Sequence, residues 1–190
     1  TEYCTHDGHC QAWAKRLSAG VVTVTGGKAT LTATPDDNAW YSVAPEPADL
    51  FGAGDDLVVK AAGGDVAAFD VLVKGVADME PSWSGELAMK DGEALHVPWV
   101  VKNDGATVEV VLQIGWHGNP PTDIIWCEAA DAQGSIDIPA EFVSMFPPWG
   151  GMGLFQNPSW ARRMMRTVVD TAAGPIEVRA SSRTGVYYVH

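Results

Sequence analysis

Basic residues are scarce in this chain of 190 residues. Lysine and arginine number 12 against 24 aspartates and glutamates, which gives a formal net charge of −12 at pH 7. Such a surface repels phosphate backbones and anionic lipid headgroups, so we expect no nucleic-acid partner. No apolar run approaches the length of about 18 residues that a membrane-spanning helix needs. Hydrophobic residues nevertheless make up 46% of the chain, which predicts a folded globular protein.

Short catalytic signatures are also lacking. The sequence has no G-x-S-x-G nucleophile elbow, no H-E-x-x-H zinc motif, no phosphate-binding glycine loop and no dinucleotide fingerprint. The sequence does not decide whether two carboxylates are placed for glycoside hydrolysis, because their separation depends on the fold and not on spacing along the chain. We therefore expect a protein that recognises a partner and does not catalyse a reaction.

Cysteine is rare, and two of the three cysteines bracket two histidines near the start of the chain. The segment runs from Cys4 through His6 and His9 to Cys10, and the third cysteine is Cys127. A Cys4–Cys10 disulfide would stabilise the fold by about 2 kcal/mol in the chain-entropy model. A bridge from either residue to Cys127 is a second possibility. A reduced site in which these cysteines and histidines hold copper or zinc is a third, because both are ligands for such metals.

Alternation of apolar and polar residues with a period of two dominates the chain after residue 20 and predicts β-strands. Residues 21–25 and 29–33 are rich in valine and threonine and flank Gly26 and Gly27, which predicts a hairpin. Further strands are expected at residues 39–43, 56–61, 67–74, 86–90, 95–101, 107–116, 123–128, 134–138, 161–171, 175–180 and 185–189. The pattern predicts an all-β protein, an antiparallel β-sandwich of eight to twelve strands, Ig-like or jelly-roll-like.

Only two short helices are expected. Residues 11–18 are amphipathic. Residues 139–145 begin with Pro139 and end before the pair Pro147 and Pro148. We expect residues 1–18 to form a cysteine-bracketed arm and residues 19–190 to form one sandwich domain. A weaker boundary at residues 78–83 would divide that domain.

Several strand and turn segments resemble a pattern found in uncharacterised secreted lipoproteins of myxobacteria. The segments are residues 51–59, 63–69, 124–127 and 134–139, within a region that spans roughly residues 19–145. The resemblance implies an exported β-sandwich that is tethered through a lipidated cysteine upstream, with no known activity. We accordingly expect an extracytoplasmic location, at the cell surface, in the periplasm or secreted. The resemblance does not extend to the tryptophan-rich segment near Trp149.

That segment, residues 147–158, is rich in glycine, proline and large apolar side chains. Exposed aromatic rings can anchor a protein interface or stack on sugar rings, because they offer apolar area at little entropic cost. The alternative is that the rings fold back over one end of the sandwich. We predict a contact surface made of Trp149, Met152, Phe155 and Trp160. The partner would be another protein or a second copy of the chain, with a glycan as the alternative.

The other tryptophans are expected to have structural roles, and the other possible metal ligands form weaker candidate sites. Trp99, Trp116 and Trp126 lie in or beside predicted strands, and we expect them in the core. His117 and Met152 are candidate ligands of a copper site, whereas Met164 and Met165 lie in a predicted strand, where one of them is expected to face the core and fill a gap there. Calcium is a further candidate, because it binds carboxylates from loops. The candidate acidic pairs are Asp36 with Asp37, Asp55 with Asp56, and Asp131 with Asp137.

Charge is distributed unevenly along the chain. Residues 161–190 carry five arginines against two acidic residues, while the preceding part of the chain is strongly acidic. We expect these arginines to pair with acidic residues of the body. The alternative is a docking patch for an acidic partner.

Overall fold

The fold was analysed in a computed structural model. The structure describes residues 2–4, 10–12, 15–43, 50–114, 123–146 and 159–189. The fold is all-β and its sheets are mostly antiparallel, which confirms the predicted class. Among the described residues, no helix is both long enough and apolar enough to cross a membrane.

The described residues form fourteen strands, one short α-helix and a 3-10 turn, so the strands outnumber the eight to twelve expected. The strands are β1 (Glu2–Cys4), β2 (Cys10–Ala12), β3 (Val22–Thr25), β4 (Leu31–Ala33), β5 (Asp56–Ala61), β6 (Phe69–Lys74), β7 (Leu87–Ala88), β8 (Leu95–Pro98), β9 (Thr107–Ile114), β10 (Asp123–Ala130), β11 (Ser135–Ile138), β12 (Ser159–Thr171), β13 (Gly174–Val186) and β14 (Tyr188–Val189). The helix α1 spans Ala140–Val143, and the 3-10 turn spans Asp131–Gln133.

The longest strands belong to a four-stranded antiparallel sheet with the order β10-β9-β12-β13, called here the main sheet. Strands β12 and β13 are each 13 residues long and pair along their whole length. Short strands pack with this sheet: β11 pairs with β8, and β14 pairs in parallel with β7. A second four-stranded sheet, with the order β4-β3-β5-β6, is called here the second sheet.

Two clusters of buried residues hold these sheets together. The first core combines one face of the main sheet with side chains from β7, β8, β11, β14 and α1; among its members are Leu95, Val97, Val108, Val110, Leu112, Ile138, Val143, Phe146, Ala161 and Tyr188. We call that face of the main sheet its inner face and the opposite face its outer face. The second core is smaller and consists of Leu57, Val59, Val73 and Ala180.

The β12–β13 hairpin spans both cores, because its two ends bury different side chains. Ala161 and Val186, near the open end, belong to the first core. Ala180 belongs to the second core, and Met165 packs against it. Thr167 Oγ1 also donates a hydrogen bond of 3.0 Å to Leu72 O in β6, which fixes the second sheet beneath β12. The chain passes from the second core to the first between Val73 and Met79, beside the boundary expected at residues 78–83.

Three predictions about local structure were wrong. The helix expected at residues 11–18 is replaced by β2, which pairs with β1, and residues 15–18 form no regular element. The strand expected at residues 39–43 is absent because the chain turns there. Asp36 Oδ1 accepts the N–H groups of Asn38 and Trp40, each at 2.8 Å, and Ala39 has a φ of 57°. The strand expected at 175–180 continues through 181–184 to Val186 in β13, and residues 188–189 of the strand expected at 185–189 form the separate strand β14. The predicted helix at 139–145 is confirmed by α1.

Candidate functional site

Only one residue of the predicted contact surface lies within the described residues. Trp149, Met152 and Phe155 lie outside them, as do His6 and His9 of the candidate metal site. Trp160 lies at the start of β12, on the outer face of the main sheet, and is partly buried. Trp160 is therefore the residue of the predicted contact surface whose surroundings are known.

Arg162 is stacked on Trp160. The two residues are two positions apart in β12 and so project from the same face of the sheet. The guanidinium carbon of Arg162 lies 4.6 Å from the centre of the Trp160 ring, within the range of a cation–π interaction. This contact fixes the ring against the sheet.

Strand register extends Trp160 into a row of side chains across the main sheet. Trp160 lies opposite Val111 of β9 and Gly185 of β13, and Trp126 of β10 lies opposite Val111 on its other side. The Tyr187 ring lies over Gly185, since its nearest carbon is 3.6 Å from the position a Cβ would occupy there. Trp126 and Trp160 are two strands apart, a separation of about 10 Å. We call these five residues the aromatic row.

Trp126 was expected in the core, and that prediction was wrong. Its exposed fraction is 62%. The reason is the register of β10, in which Ile125, Cys127 and Ala129 pack against the first core. Because successive side chains of a strand point to opposite faces, Trp126 must point outward. Trp99 is buried as predicted, with its indole N–H donating to Asp131 O at 3.0 Å, whereas Trp116 lies outside the described residues.

A buried carboxylate lies beside the aromatic row. Glu109 is two residues before Val111 in β9 and is completely buried. Its Oε2 accepts a hydrogen bond of 2.8 Å from Arg162 Nε, and the two side chains form an ion pair. Its Oε1 has no hydrogen-bond partner among the described residues. A buried carboxylate oxygen without a partner is costly, so this atom is a strong acceptor for a donor that reaches it.

The remaining arginines of the outer face are mostly engaged. Arg166 Nη2 lies 2.7 Å from Glu128 Oε1, and Arg179 pairs with Glu177 of its own strand. No ion pair of Arg183 is found among the described residues, and its side chain is exposed. The predicted pairing with the acidic part of the chain is therefore confirmed for Arg162, Arg163 and Arg166. The exceptions are Arg179, whose partner Glu177 lies in the same C-terminal segment, and Arg183.

Arg163 points to the inner face and has a structural role. It forms a buried ion pair with Asp131 and donates to two backbone carbonyls, Asp78 O at 3.1 Å and Val100 O at 2.9 Å. Asp131 Oδ2 accepts the N–H groups of Lys102 at 2.9 Å and Asn103 at 2.8 Å. These contacts attach three loops to the main sheet.

The same contacts set the ionisation of Asp131. Burial acts to raise the pKa of Asp131, but hydrogen bonds from the Lys102 N–H, the Arg163 guanidinium and the Asn103 N–H outweigh it. The pKa of the carboxyl is therefore lowered from its usual value. Asp131 stays charged at neutral pH and cannot serve as a proton donor there.

Cys4 and Cys10 lie directly opposite each other in the β1–β2 pair. Opposed residues of an antiparallel pair have Cα atoms about 4.5–5.5 Å apart, which lies within the range that a disulfide bridges. The backbone register is therefore compatible with the predicted Cys4–Cys10 bridge. Cys127 is a free thiol on the inner face of β10, and burial raises its pKa, which disfavours the reactive thiolate.

The other candidate metal ligands are dispersed or already bonded. Within the described ranges, no three His, Cys, Asp or Glu side chains are grouped so that they would hold a metal. Asp36 accepts two backbone N–H groups, and Asp55 accepts the Gly52 N–H at 2.7 Å. Asp137 pairs with His96 at 2.7 Å and so does not join Asp131. The calcium pair Asp131–Asp137 is not formed.

The methionines behave as expected where they are described. Met164 is buried and Met165 packs against the second core. His117 and Met152, the candidate copper ligands, lie outside the described residues.

The sequence contained a signal for the site that the prediction missed. In β9, Glu109 interrupts an otherwise apolar run, and a glutamate at such a position must find a basic partner on a neighbouring strand. The partner, Arg162, is 53 residues away in sequence. Only the pairing of β9 with β12 brings them together.

Comparison with known proteins adds no relative. Neither a protein-family model, nor a curated protein, nor a solved structure matches this chain.

Proposed function

We propose that this chain is an exported, non-enzymatic recognition protein that binds a protein partner through the outer face of its main sheet. The observation that carries the proposal is the aromatic row, in which strand register aligns Trp126 and Trp160 on either side of Val111 and the Tyr187 ring lies over Gly185. Tryptophan, tyrosine and arginine are the residues most enriched in the energetic centres of protein interfaces. Here they occupy one face together.

The surface is rigid before any partner arrives. Arg162 is held by both Glu109 and the Trp160 ring, and its strand is paired on both sides. Side chains that are already ordered lose little entropy on binding, so more of the contact energy is available for affinity. Self-assembly through the same face is the case in which the partner is a second copy of the chain.

Export and a lipid anchor upstream are part of the same proposal. They are supported by the resemblance to secreted lipoproteins, by the acidic composition and by the facing cysteines of β1 and β2. Disulfides persist in oxidising compartments outside the cytoplasm.

The test removes the rings of both Trp126 and Trp160. A Trp126→Ala/Trp160→Ala variant and the wild type are used to capture proteins from the extracytoplasmic fraction of the source cells. Trp40→Ala is the matched control, because Trp40 is 58% exposed but lies outside the main sheet. Two interface tryptophans carry about 2 kcal/mol or more each, so we expect at least a 100-fold loss of partner binding in the double variant only.

The outcome must also separate binding from folding. Circular dichroism melting of the three proteins should show that each is folded at the assay temperature. A partner retained equally by the double variant, or no specific partner for the wild type, would contradict the proposal. A partner that proves to be the chain itself supports self-assembly.

A glycan is the second candidate, and one observation favours it. Trp126 and Trp160 are about 10 Å apart on a sheet face, and the buried Glu109 lies two residues along β9 from the Val111 between them; such an arrangement can stack sugar rings and accept a hydroxyl hydrogen bond. Titration with an oligosaccharide panel should quench tryptophan fluorescence in the wild type if this candidate is right. The same quenching in Trp126→Ala/Trp160→Ala would exclude these two rings.

A further inference from the structure

Two adjoining apolar cavities lie between the second sheet and β13, on the side of the hairpin away from the aromatic row. Their volumes are about 480 Å³ and about 240 Å³, and Val59 and Val178 line both. The first extends toward the tip of the hairpin at Ile176, and the second extends toward Ala180. Because they share Val59 and Val178, the cavities are neighbours, and we call the two together the β13 groove.

The groove lies where the second sheet faces β13 of the main sheet. The second sheet has four strands, and β6, at one end of it, lies under β12, to which it is bonded through Thr167 and Leu72. The lining residues come from β3, β4, β5, β6 and β13 and from loops beside them, and none of those described comes from β12. Among the described strands, none pairs with β13 on the side away from β12.

A further strand placed beside β13 would find backbone groups with which to pair. Among the described strands, β13 is the terminal strand of the main sheet, and it is 13 residues long. A terminal strand presents unpaired N–H and C=O groups along its outer edge, and extended peptides bind proteins by pairing with such edges. Pro175 has no N–H, so pairing would begin at Ile176.

We propose that the β13 groove is an acceptor site for an extended segment of a partner protein, which adds a fifth strand to the main sheet. Alternate side chains of that strand would point into the groove, about 7 Å apart. The inward-facing residues of β13 that line the groove run from Ile176 to Ala180, four residues or about 13 Å, so two or three apolar side chains of the guest would fill it.

The charge of β13 specifies the other side chains of the guest. The odd-numbered residues of β13 point outward, and they include Glu177, Arg179 and Arg183. Arg179 is already paired with Glu177, whereas Arg183 is exposed without an ion pair among the described residues. This edge is basic on a chain whose net charge is −12, so acidic residues are favoured at the outward positions of the guest. The guest is thus a strand in which apolar and acidic residues alternate.

The site is separate from the aromatic row and does not depend on the proposed function. The groove faces the second core, while Trp126 and Trp160 are on the outer face. The Trp126→Ala/Trp160→Ala variant should therefore keep the groove activity, and the failure of one proposal does not entail the failure of the other.

The test uses the full chain and two synthetic nine-residue peptides with blocked ends. In one, glutamate alternates with valine; in the other, lysine alternates with valine. Fluorescence anisotropy at physiological salt should show that the glutamate peptide binds more tightly than the lysine peptide, although the protein is strongly acidic overall. A glutamate peptide with proline at its centre should bind at least tenfold more weakly, because it cannot pair along the edge.

Two variants probe the groove and the edge separately. Ala33→Phe fills the larger cavity and should weaken binding of the glutamate peptide at least tenfold, while Ala62→Phe, at an exposed position that lines neither part of the groove, is its matched control. Arg183→Glu should shift the preference toward the lysine peptide. Because Arg183 is exposed, this variant remains informative if Ala33→Phe fails to fold.

Three results would overturn the proposal. The first is no binding of the glutamate peptide to the folded wild type, or tighter binding of the lysine peptide. The second is unchanged binding by folded Ala33→Phe together with unchanged preference in Arg183→Glu. The third is sedimentation showing a dimer that Ala33→Phe dissociates, because the occupant of the groove would then be a second copy.

Discussion

At the scale of single residues, the ion pair of Arg163 with Asp131 has the largest structural consequence. Both side chains are almost completely buried, and between them they bond three loops to the main sheet. Removing one member of a buried pair leaves the other without its counter-charge, which costs about 3–5 kcal/mol. The pair is therefore a sensitive point for stability.

We predict that Asp131→Asn lowers the free energy of unfolding by about 3–5 kcal/mol at pH 7. The lowered pKa of Asp131 gives this contribution a definite pH dependence. A lowered folded-state pKa stabilises the fold above the unfolded value near 3.9, and this stabilisation is lost as the pH falls through the folded value. The difference between wild type and variant should thus shrink below about pH 4. Denaturant unfolding at several pH values measures it.

The control for this experiment is Asp137→Asn. Asp137 also contacts a potential cation, His96, but that pair is exposed and worth at most about 1 kcal/mol. Equal losses in the two variants at pH 7 would show that burial of the Asp131 pair is not the cause.

At the scale of elements, tight turns decide where strands can pair. Gly26 follows β3 with a φ of 92°, in the left-handed region that favours glycine. A Cβ at this position would collide with the carbonyl oxygen of Asp56 at the start of β5. Gly54 has a similar φ of 82°, but a Cβ there would meet nothing within 4 Å.

We predict that Gly26→Ala destabilises the protein by about 3 kcal/mol or more, because strain and a backbone collision add. Gly54→Ala should cost about 1–2 kcal/mol, from the backbone conformation alone. Thermal or denaturant unfolding of both variants gives the comparison. Equal destabilisation would mean that the neighbouring strand yields to the added carbon.

Elements differ in how far the sequence predicts them. The alternation in residues 56–61 predicts β5 with its bounds, since half-buried strands carry a period of two. Residues 11–18 fit a helical period, but β1 offers residues 10–12 an adjacent strand, and pairing overrides local propensity in so short a segment. The aromatic row is undetectable from any one strand, because four of its members lie on four different strands and meet only through register, while Tyr187 follows the end of β13.

At the scale of the whole molecule, the positions of the three cysteines indicate which of them can form a disulfide. The facing positions of Cys4 and Cys10 and the free thiol of Cys127 lead us to propose one disulfide and one thiol. A bridge that encloses seven residues would stabilise the arm by about 2 kcal/mol.

We predict that denatured but unreduced protein takes up one alkylating group, and reduced protein takes up three. Intact mass measures the number, and peptide mapping should place the single group on Cys127. Three groups before reduction would contradict the disulfide and favour the alternative in which reduced Cys4 and Cys10 join His6 and His9 in a metal site.

The sequence by itself determined the all-β class, most strand positions, the acidic surface and the arginine-rich final hairpin. These follow from composition and from a period of two, which are local properties. Only the tertiary structure decided that Trp126 points outward, that Glu109 finds Arg162, and that β13 leaves a groove over β3 and β4. The physical reason is that faces, pairs and grooves depend on which strands become neighbours, and that choice is made by burial across the whole chain.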